Sequence, residues 1–138
     1  MLSHLVYVSN RSANCTSEEI ENILGSCKKN NPDLDITGVL LYSETKFIQY
    51  VEGDYKKIMG LFDKIKFDKR HENVVLVSVS PIKEKLFPSW HMGNKMVTQN
   101  DVEFRTDVNS DDKRLFLNIL NGKEQKGEKV QMLIKKLF

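Results

Sequence analysis

The chain of 138 residues lacks most of the features that announce a specialised protein. Its two cysteines, Cys15 and Cys27, form no Cys-x-x-Cys pair. They read as reduced thiols of a cytoplasmic protein, not as a disulfide framework or a zinc site. No apolar run approaches the ~20 residues that a membrane span needs. Met1-Leu2-Ser3-His4 leads straight into a strand pattern, so no signal peptide is expected and the Asn-x-Ser/Thr matches at Asn10 and Asn14 carry no weight. Charge of one sign is also missing. Against 21 basic residues stand 19 acidic ones, leaving +2. That is too balanced to make nucleic acid or an anionic membrane the default partner. The common glycine-rich phosphate cradles are absent. So are His-Glu-x-x-His, a Cys/His cluster at ligand spacing and Gly-x-Ser-x-Gly, and His4, His71 and His91 are scattered. Neither cysteine reads as an activated nucleophile. The stacking aromatics of an RNA-reading sheet are missing too. Hydrolysis, metal chemistry and nucleic-acid binding thus find no support.

What remains is ordinary globular material, 40% hydrophobic and 29% charged, long enough for one self-sufficient core. Leu5-Val6-Tyr7-Val8-Ser9 has strand composition. Thr16-Ser17-Glu18-Glu19 is a capping box, with Glu19 reaching back to Thr16. It opens a helix whose apolar stripe is Ile20, Ile23, Leu24 and Cys27. Pro32 disfavours a helical Asn31 and predicts the helix end at Asn30-Asn31. Ile36 to Tyr42 and Phe47 to Glu52 are two strands joined by the polar turn Ser43 to Lys46. Asp54 caps a second helix with the stripe Ile58, Leu61, Phe62 and Ile65. Phe67 to Glu72 is its charged exit, and Val74 to Val79 is a fourth strand, stopped by Pro81. Phe87 to Gly93, with Pro88 inside, predicts an edge strand. Leu115, Phe116, Ile119 and Leu120, then Val130, Leu133, Ile134 and Leu137, mark two short amphipathic helices, separated by Gly122 and Gly127.

The order β-α-β-β-α-β, with a fifth edge strand and two terminal helices, is the α+β, ferredoxin-like plan. It puts both long helices on one face of the sheet, with the C-terminal helices expected on the other. The first and third strands are expected to be its central pair, running parallel. In the third strand Phe47, Gln49 and Val51 share one parity, and Ile48 and Tyr50 the other. Apolar residues on both parities mark a strand covered on both sides. Gln49 then needs hydrogen-bond partners inside the core. Tyr7 lies on the neighbouring strand and can supply one if both side chains face the helices. Parity alone leaves open which face that is. Taken singly, each polar residue has a plain reading. Tyr7 is a core aromatic, Asn30 and Asn31 a helix end, Asp68 to Arg70 a solvated exit, and Trp90 and Met92 part of an edge strand. Together Tyr7, Asn30, Asn31, Gln49, Lys64, Asp68, Arg70 and His71 combine hydrogen-bonding groups and cations without a nucleophile. That set suits a planar, heteroatom-rich ligand held between two helices.

Six blocks in order carry a resemblance: Tyr7 in Leu-Val-Tyr-Val-Ser, Ser26 to Asn31, Ile36 to Tyr42, Phe47 to Gly53, Asp68 to His71 and Phe87 to Met92. The chain resembles the BLUF domain, the family of blue-light sensors using flavin, over residues 1–97, which leaves 98–138 as a C-terminal helical extension. The resemblance implies a photoreceptor, not an enzyme. It implies FAD, or another flavin such as FMN or riboflavin, between the two helices. Asn31 would bind the polar edge of the ring, with Asn30 as helper, and Lys64, Asp68, Arg70 and His71 would surround its pyrimidine end. Tyr7 would donate an electron and a proton, and Gln49 would rearrange its hydrogen bonds. Trp90 and Met92 would relay the change to the C-terminal helices and on to a partner protein, with a homo-oligomer expected. Two departures stand out. Asp35 replaces a glycine common before Ile-Thr-Gly, and Lys64 replaces an Arg or His. The competing readings are a small flavin-dependent redox enzyme and a ferredoxin-like interaction module without photochemistry.

Overall fold

The computed structural model describes residues 1–89, 91–96, 114, 118 and 131–133. In chain order the elements are β1 (Leu2–Arg11), α1 (Ser17–Leu34), β2 (Thr37–Tyr42), β3 (Lys46–Asp54), α2 (Tyr55–Lys66), β4 (His71–Pro81) and β5 (Gly93–Met96). They build one five-stranded sheet in the order β4-β1-β3-β2-β5. The α+β plan, the central position of β1 and β3 and the edge position of β5 match expectation.

The direction of the central pair does not. β1 and β3 run antiparallel, with Tyr7 directly opposite Gln49. The cause is the connections. The α1 crossover returns the chain so that β2 runs with β1, and the tight turn after Tyr42 reverses it into β3. Glycine fixes that hairpin at one point. Gly38 lies opposite Val51, and a Cβ there would sit 2.0 Å from the carbonyl oxygen of Tyr50. Only hydrogen fits.

The helices lie together on one face. Leu5, Tyr7, Leu40, Phe47 and Val51 form one buried cluster with Ile20 and Leu24 of α1 and Ile58 and Phe62 of α2. This assigns the parity of Phe47, Gln49 and Val51 to the helix side. Val6, Val39, Leu41, Ile48 and Tyr50, of the other parity, are buried as well. On that side Gln131 donates from Nε2 to the Tyr50 hydroxyl at 3.3 Å, and Leu133 is buried. Arg114, Asn118 and Gln131 to Leu133 are helical. The rest of the expected C-terminal extension lies outside the described residues. No helix among the described residues is long and apolar enough to cross a membrane.

Three local expectations are corrected. α1 does not stop at Asn31. It continues through Pro32 to Leu34 and ends at Asp35, whose backbone is left-handed (φ 52°, ψ 39°) and whose N–H bonds the carbonyls of Asn31 and Pro32. A proline in the last turn costs one helical hydrogen bond, which this C-terminal cap offsets. Asp35 therefore adopts the conformation that glycine takes without strain. The Thr16 side chain does accept from the Glu19 N–H at 3.3 Å, but the Glu19 carboxylate faces Arg70, 3.7 Å away, not the cap. Finally, the fifth strand is Gly93–Met96, paired in parallel with β2, while Pro88 and Ser89 lie in a turn and His91 and Met92 in a bend. Pro88 has no N–H to give a ladder, and the N–H of Phe87 goes to a side chain, the Glu52 carboxylate, at 3.0 Å.

Candidate functional site

Opposite positions on adjacent strands bring side chains of one face within contact, and the β1–β3 register applies this to Tyr7 and Gln49. The Tyr7 hydroxyl donates to Gln49 Oε1. Both are deeply buried, at 1% and 3% exposure. β1 shifts register against β4 between Val6 and Tyr7 and again between Val8 and Asn10. Tyr7 thus sits between two irregularities of the kind that re-aim a side chain. The other end of the Gln49 amide is also occupied, since Nε2 donates to the sulfur of Met92 at 3.6 Å. A thioether is a weak acceptor. Gln49 is therefore held firmly at its oxygen and loosely at its nitrogen.

Above this pair the two helices leave a cleft. Its inner part, about 140 Å³, is lined among others by Tyr7, Ile23, Gln49, Ile65, Arg70 and His71. An open outer part, about 420 Å³, adds Asn30, Asn31, Asp33 and Leu34. Ser26, Cys27, Leu61 and Lys64 line both. The extension of α1 through Pro32 is what puts Asn31 here, at 2% exposure, with its Nδ2 donating to the His91 carbonyl at 2.6 Å. A roomier hollow of about 660 Å³ lies among Met1, Tyr55 and Pro81. None of the polar cluster lines it.

Two of the charges at the cleft, Asp68 and Arg70, pair with each other. Asp68 grips Arg70, with Nε at 2.9 Å from Oδ1 and Nη2 at 2.5 Å from Oδ2. The Arg70 side chain holds the Asp68 carboxyl below the usual carboxylate range, and Asp68 raises the guanidinium in turn. Burial pushes the Tyr7 hydroxyl well above the usual phenol value, with Cys27 and Asp68 adding to the rise and Arg70 opposing it. Burial likewise pushes the Cys27 thiol up to about 11, which leaves it protonated and unreactive at neutral pH. His71 lies against the rings of Tyr7 and Phe47, 5.9 and 4.8 Å away between centroids, with Nδ1 at 2.8 Å from the Ser9 hydroxyl. Burial lowers its pKa, so it is neutral at pH 7.

The residues Tyr7, Gln49, Asn31, Asn30, Lys64, Asp68, Arg70 and His71, expected from sequence, therefore meet around one cleft, with Met92 beneath it. Trp90 lies outside the described residues. Sequence reasoning missed the walls. Cys27, Ile23, Leu61 and Ile65 read as core stripes, yet they line the gap between the helices. It also missed the His91 carbonyl, because a backbone acceptor leaves no trace in a sequence.

Fold and cleft define a small α+β module with a cleft, lined by hydrogen-bonding groups and cations, above a buried Tyr–Gln pair. A family model described as BLUF, sensors of blue-light using FAD, matches residues 2–93. Photoactivated adenylate cyclase subunit beta of Euglena longa is 34% identical over 88 residues, covering 64% of this chain and 10% of that protein. The blue light- and temperature-regulated antirepressor BluF of Escherichia coli (strain K12) is 31% identical over 75 residues, covering 54% of this chain and 19% of that one. Among solved structures, BlrB, a BLUF protein in its dark state, has a TM-score of 0.73 at 26% identity over 95% of this chain and 96% of that chain. BlsA in its photo-activated state has a TM-score of 0.75 at 25% identity over 99% of this chain and 94% of that chain. The chain belongs to the BLUF family of blue-light sensors that use FAD. It spans about 10% of the length of the adenylate cyclase subunits it matches, so their cyclase activity is a property of those longer proteins.

The cleft residues fit a flavin. Ile23, Leu61 and Ile65 offer apolar walls, and donors run along the cleft, from Arg70 in the inner part through Lys64 to Asn31 in the outer part. Combined, the inner and outer parts fall within the ~300–1,000 Å³ of small-molecule sites.

Proposed function

We propose that this chain is a blue-light switch in which Tyr7 and Gln49 convert photon absorption into a changed hydrogen-bond pattern at Met92. The observation that carries the reading is the position of Gln49, with its oxygen on Tyr7 and its nitrogen on the Met92 sulfur. A flavin in the cleft supplies the absorption of blue light and, once excited, the oxidising power to take an electron from a phenol. Tyr7 loses that electron. Its raised pKa means the phenol is protonated beforehand, so the hydroxyl proton must leave with the electron, along the hydrogen bond to Gln49 Oε1. Electron and proton both return on recombination, so no atom is gained or lost. During the cycle Gln49 turns or tautomerises. Because its two ends differ only in donor and acceptor character, a half-turn exchanges them without changing shape. The N–H leaves the weak sulfur acceptor and would be free to donate to an acceptor on the bound flavin. Met92 loses its donor, and the segment that carries it is free to shift.

In this reading Asn31, assisted by Asn30, holds the polar edge of the ring, and Lys64, Asp68, Arg70 and His71 surround its pyrimidine end. The change passes from Met92, with Trp90, to residues 98–138 and a partner protein, in a cytoplasmic homo-oligomer whose sensor is residues 1–97. Absorption spectra of the FAD-loaded protein, in the dark and just after blue light, test it. A small red shift that decays in the dark is expected. Stable bleaching, or turnover of a nicotinamide reductant, would replace the sensor by a redox enzyme.

A further inference from the structure

Glu52 is fully buried on β3, at 0% exposure. It lies three residues beyond Gln49 and therefore points to the opposite face of the sheet. Three donors converge on its carboxylate. Oε1 accepts from the Tyr50 hydroxyl at 2.7 Å and from the Leu86 N–H at 2.6 Å, and Oε2 accepts from the Phe87 N–H at 3.0 Å. A buried carboxylate met only by donors is set up as an acceptor, and charge-assisted bonds of this kind are roughly twice as strong as neutral ones. Leu86 and Phe87 begin the segment that ends at His91 and Met92, where Asn31 and Gln49 hold it from the cleft side. One strand thus grips this segment at both ends, firmly through Glu52 and weakly through Gln49. The Tyr50 hydroxyl, bound to Glu52, is also the acceptor for Gln131 of the C-terminal region.

We propose that Glu52 is a positioning residue of the switch: it anchors the Leu86–Phe87 end of the segment in both states, so that a displacement at Met92 is passed toward β5 and the Gln131 contact. The inference rests on the Tyr7–Gln49 reading above. When Gln49 lets go of Met92, the Glu52 hydrogen bonds, beside the edge-on packing of the Tyr50 ring on Phe87 at 5.9 Å, still hold the segment to β3, and they keep the sulfur close enough for the bond to form again in the dark.

Glu52→Gln tests this in the full chain loaded with FAD. An amide presents one NH2 where the carboxylate presents only acceptors, so it faces at least one backbone N–H donor to donor. The expected result is an unchanged dark spectrum and red-shift amplitude, because Tyr7 and Gln49 are untouched. Dark recovery slows by roughly tenfold, the effect of losing about one hydrogen bond. Amide exchange at Leu86 and Phe87 speeds up, and the light-induced change in exchange over residues 131–133 disappears. Tyr50→Phe keeps the two backbone bonds from Leu86 and Phe87 to Glu52 but removes the hydroxyl that donates to Glu52 and accepts from Gln131. It should keep the recovery rate and lose only the light response of residues 131–133, and it serves alone if Glu52→Gln does not fold. Wild-type recovery together with an intact response at 131–133 in either variant overturns the inference while leaving the switch reading standing. A wild-type protein that shows no red shift overturns both.

Discussion

Tyr7→Phe separates the packing role of Tyr7 from its chemical one. The substitution keeps the ring, which packs 5.7 Å from that of Phe62 between centroids, so no cavity opens. It deletes the hydroxyl that donates to Gln49 Oε1. That oxygen belongs to a side chain only 3% exposed, so water cannot simply replace the lost donor. A buried acceptor left without a partner costs about 1–3 kcal/mol. For a domain of this size that corresponds to a fall in Tm of roughly 3–12 °C. The assay has two parts on one FAD-loaded sample: a thermal melt in the dark, and absorption before and after blue light. Flavin binding should persist, the melt should move down within that window, and the red-shifted state should vanish, because a phenyl ring has no proton to send along the hydrogen bond. A full-sized, reversible red shift in Tyr7→Phe would refute the role given to this residue, whatever the melt showed.

Other perturbations follow from the same contacts. Met92→Leu keeps the volume but removes the sulfur that accepts from Gln49 Nε2; flavin binding and the red shift should survive, while the dark-recovery rate, read by absorption, should change by about fivefold or more. Asn31→Ala removes a buried amide that bonds the His91 carbonyl and lines the cleft; FAD affinity, measured by fluorescence titration, should fall by roughly tenfold. His4 and His71 both have pKa values lowered by burial from the ordinary 6.5. Their unfolded forms bind protons first as pH falls, so stability is fully present above about pH 6.5 and is lost below it. The Tm should therefore drop between pH 7 and pH 5, and less steeply in His4→Gln; a Tm that rises over that interval contradicts the burial argument.

Much of this was legible in the sequence because it depends on period and order. The two-residue repeat placed Gln49 with Phe47 and Val51; parity left open which face that was, and it is the packing of this face against Ile20, Leu24, Ile58 and Phe62 in the structure that assigns it to the helices. Tyr7 beside Gln49 followed from the β-α-β-β-α-β order. The direction of that pair was misread because neighbouring positions in a sheet do not carry direction; the count of reversals between the strands does. The end of α1 was misread because a local rule about Pro32 competed with a cap three residues later, where Asp35 accepts a left-handed backbone. The fifth strand was placed too early because Phe87 has strand composition, while its N–H is taken by Glu52, 35 residues away in sequence. Long-range capture of a backbone group by a side chain has no local signature, and for the same reason the Glu52 anchor was not foreseen.

The central claim is that the Gln49 side-chain amide changes partners with light. The most direct measurement is the 15N–1H NMR signal of that amide in the FAD-loaded protein, assigned by its absence in Gln49→Glu and followed in the dark, under blue light and during recovery. The account predicts a shifted amide signal under light that returns at the same rate as the absorption band. An amide signal that stays fixed while the flavin band shifts and recovers would contradict it.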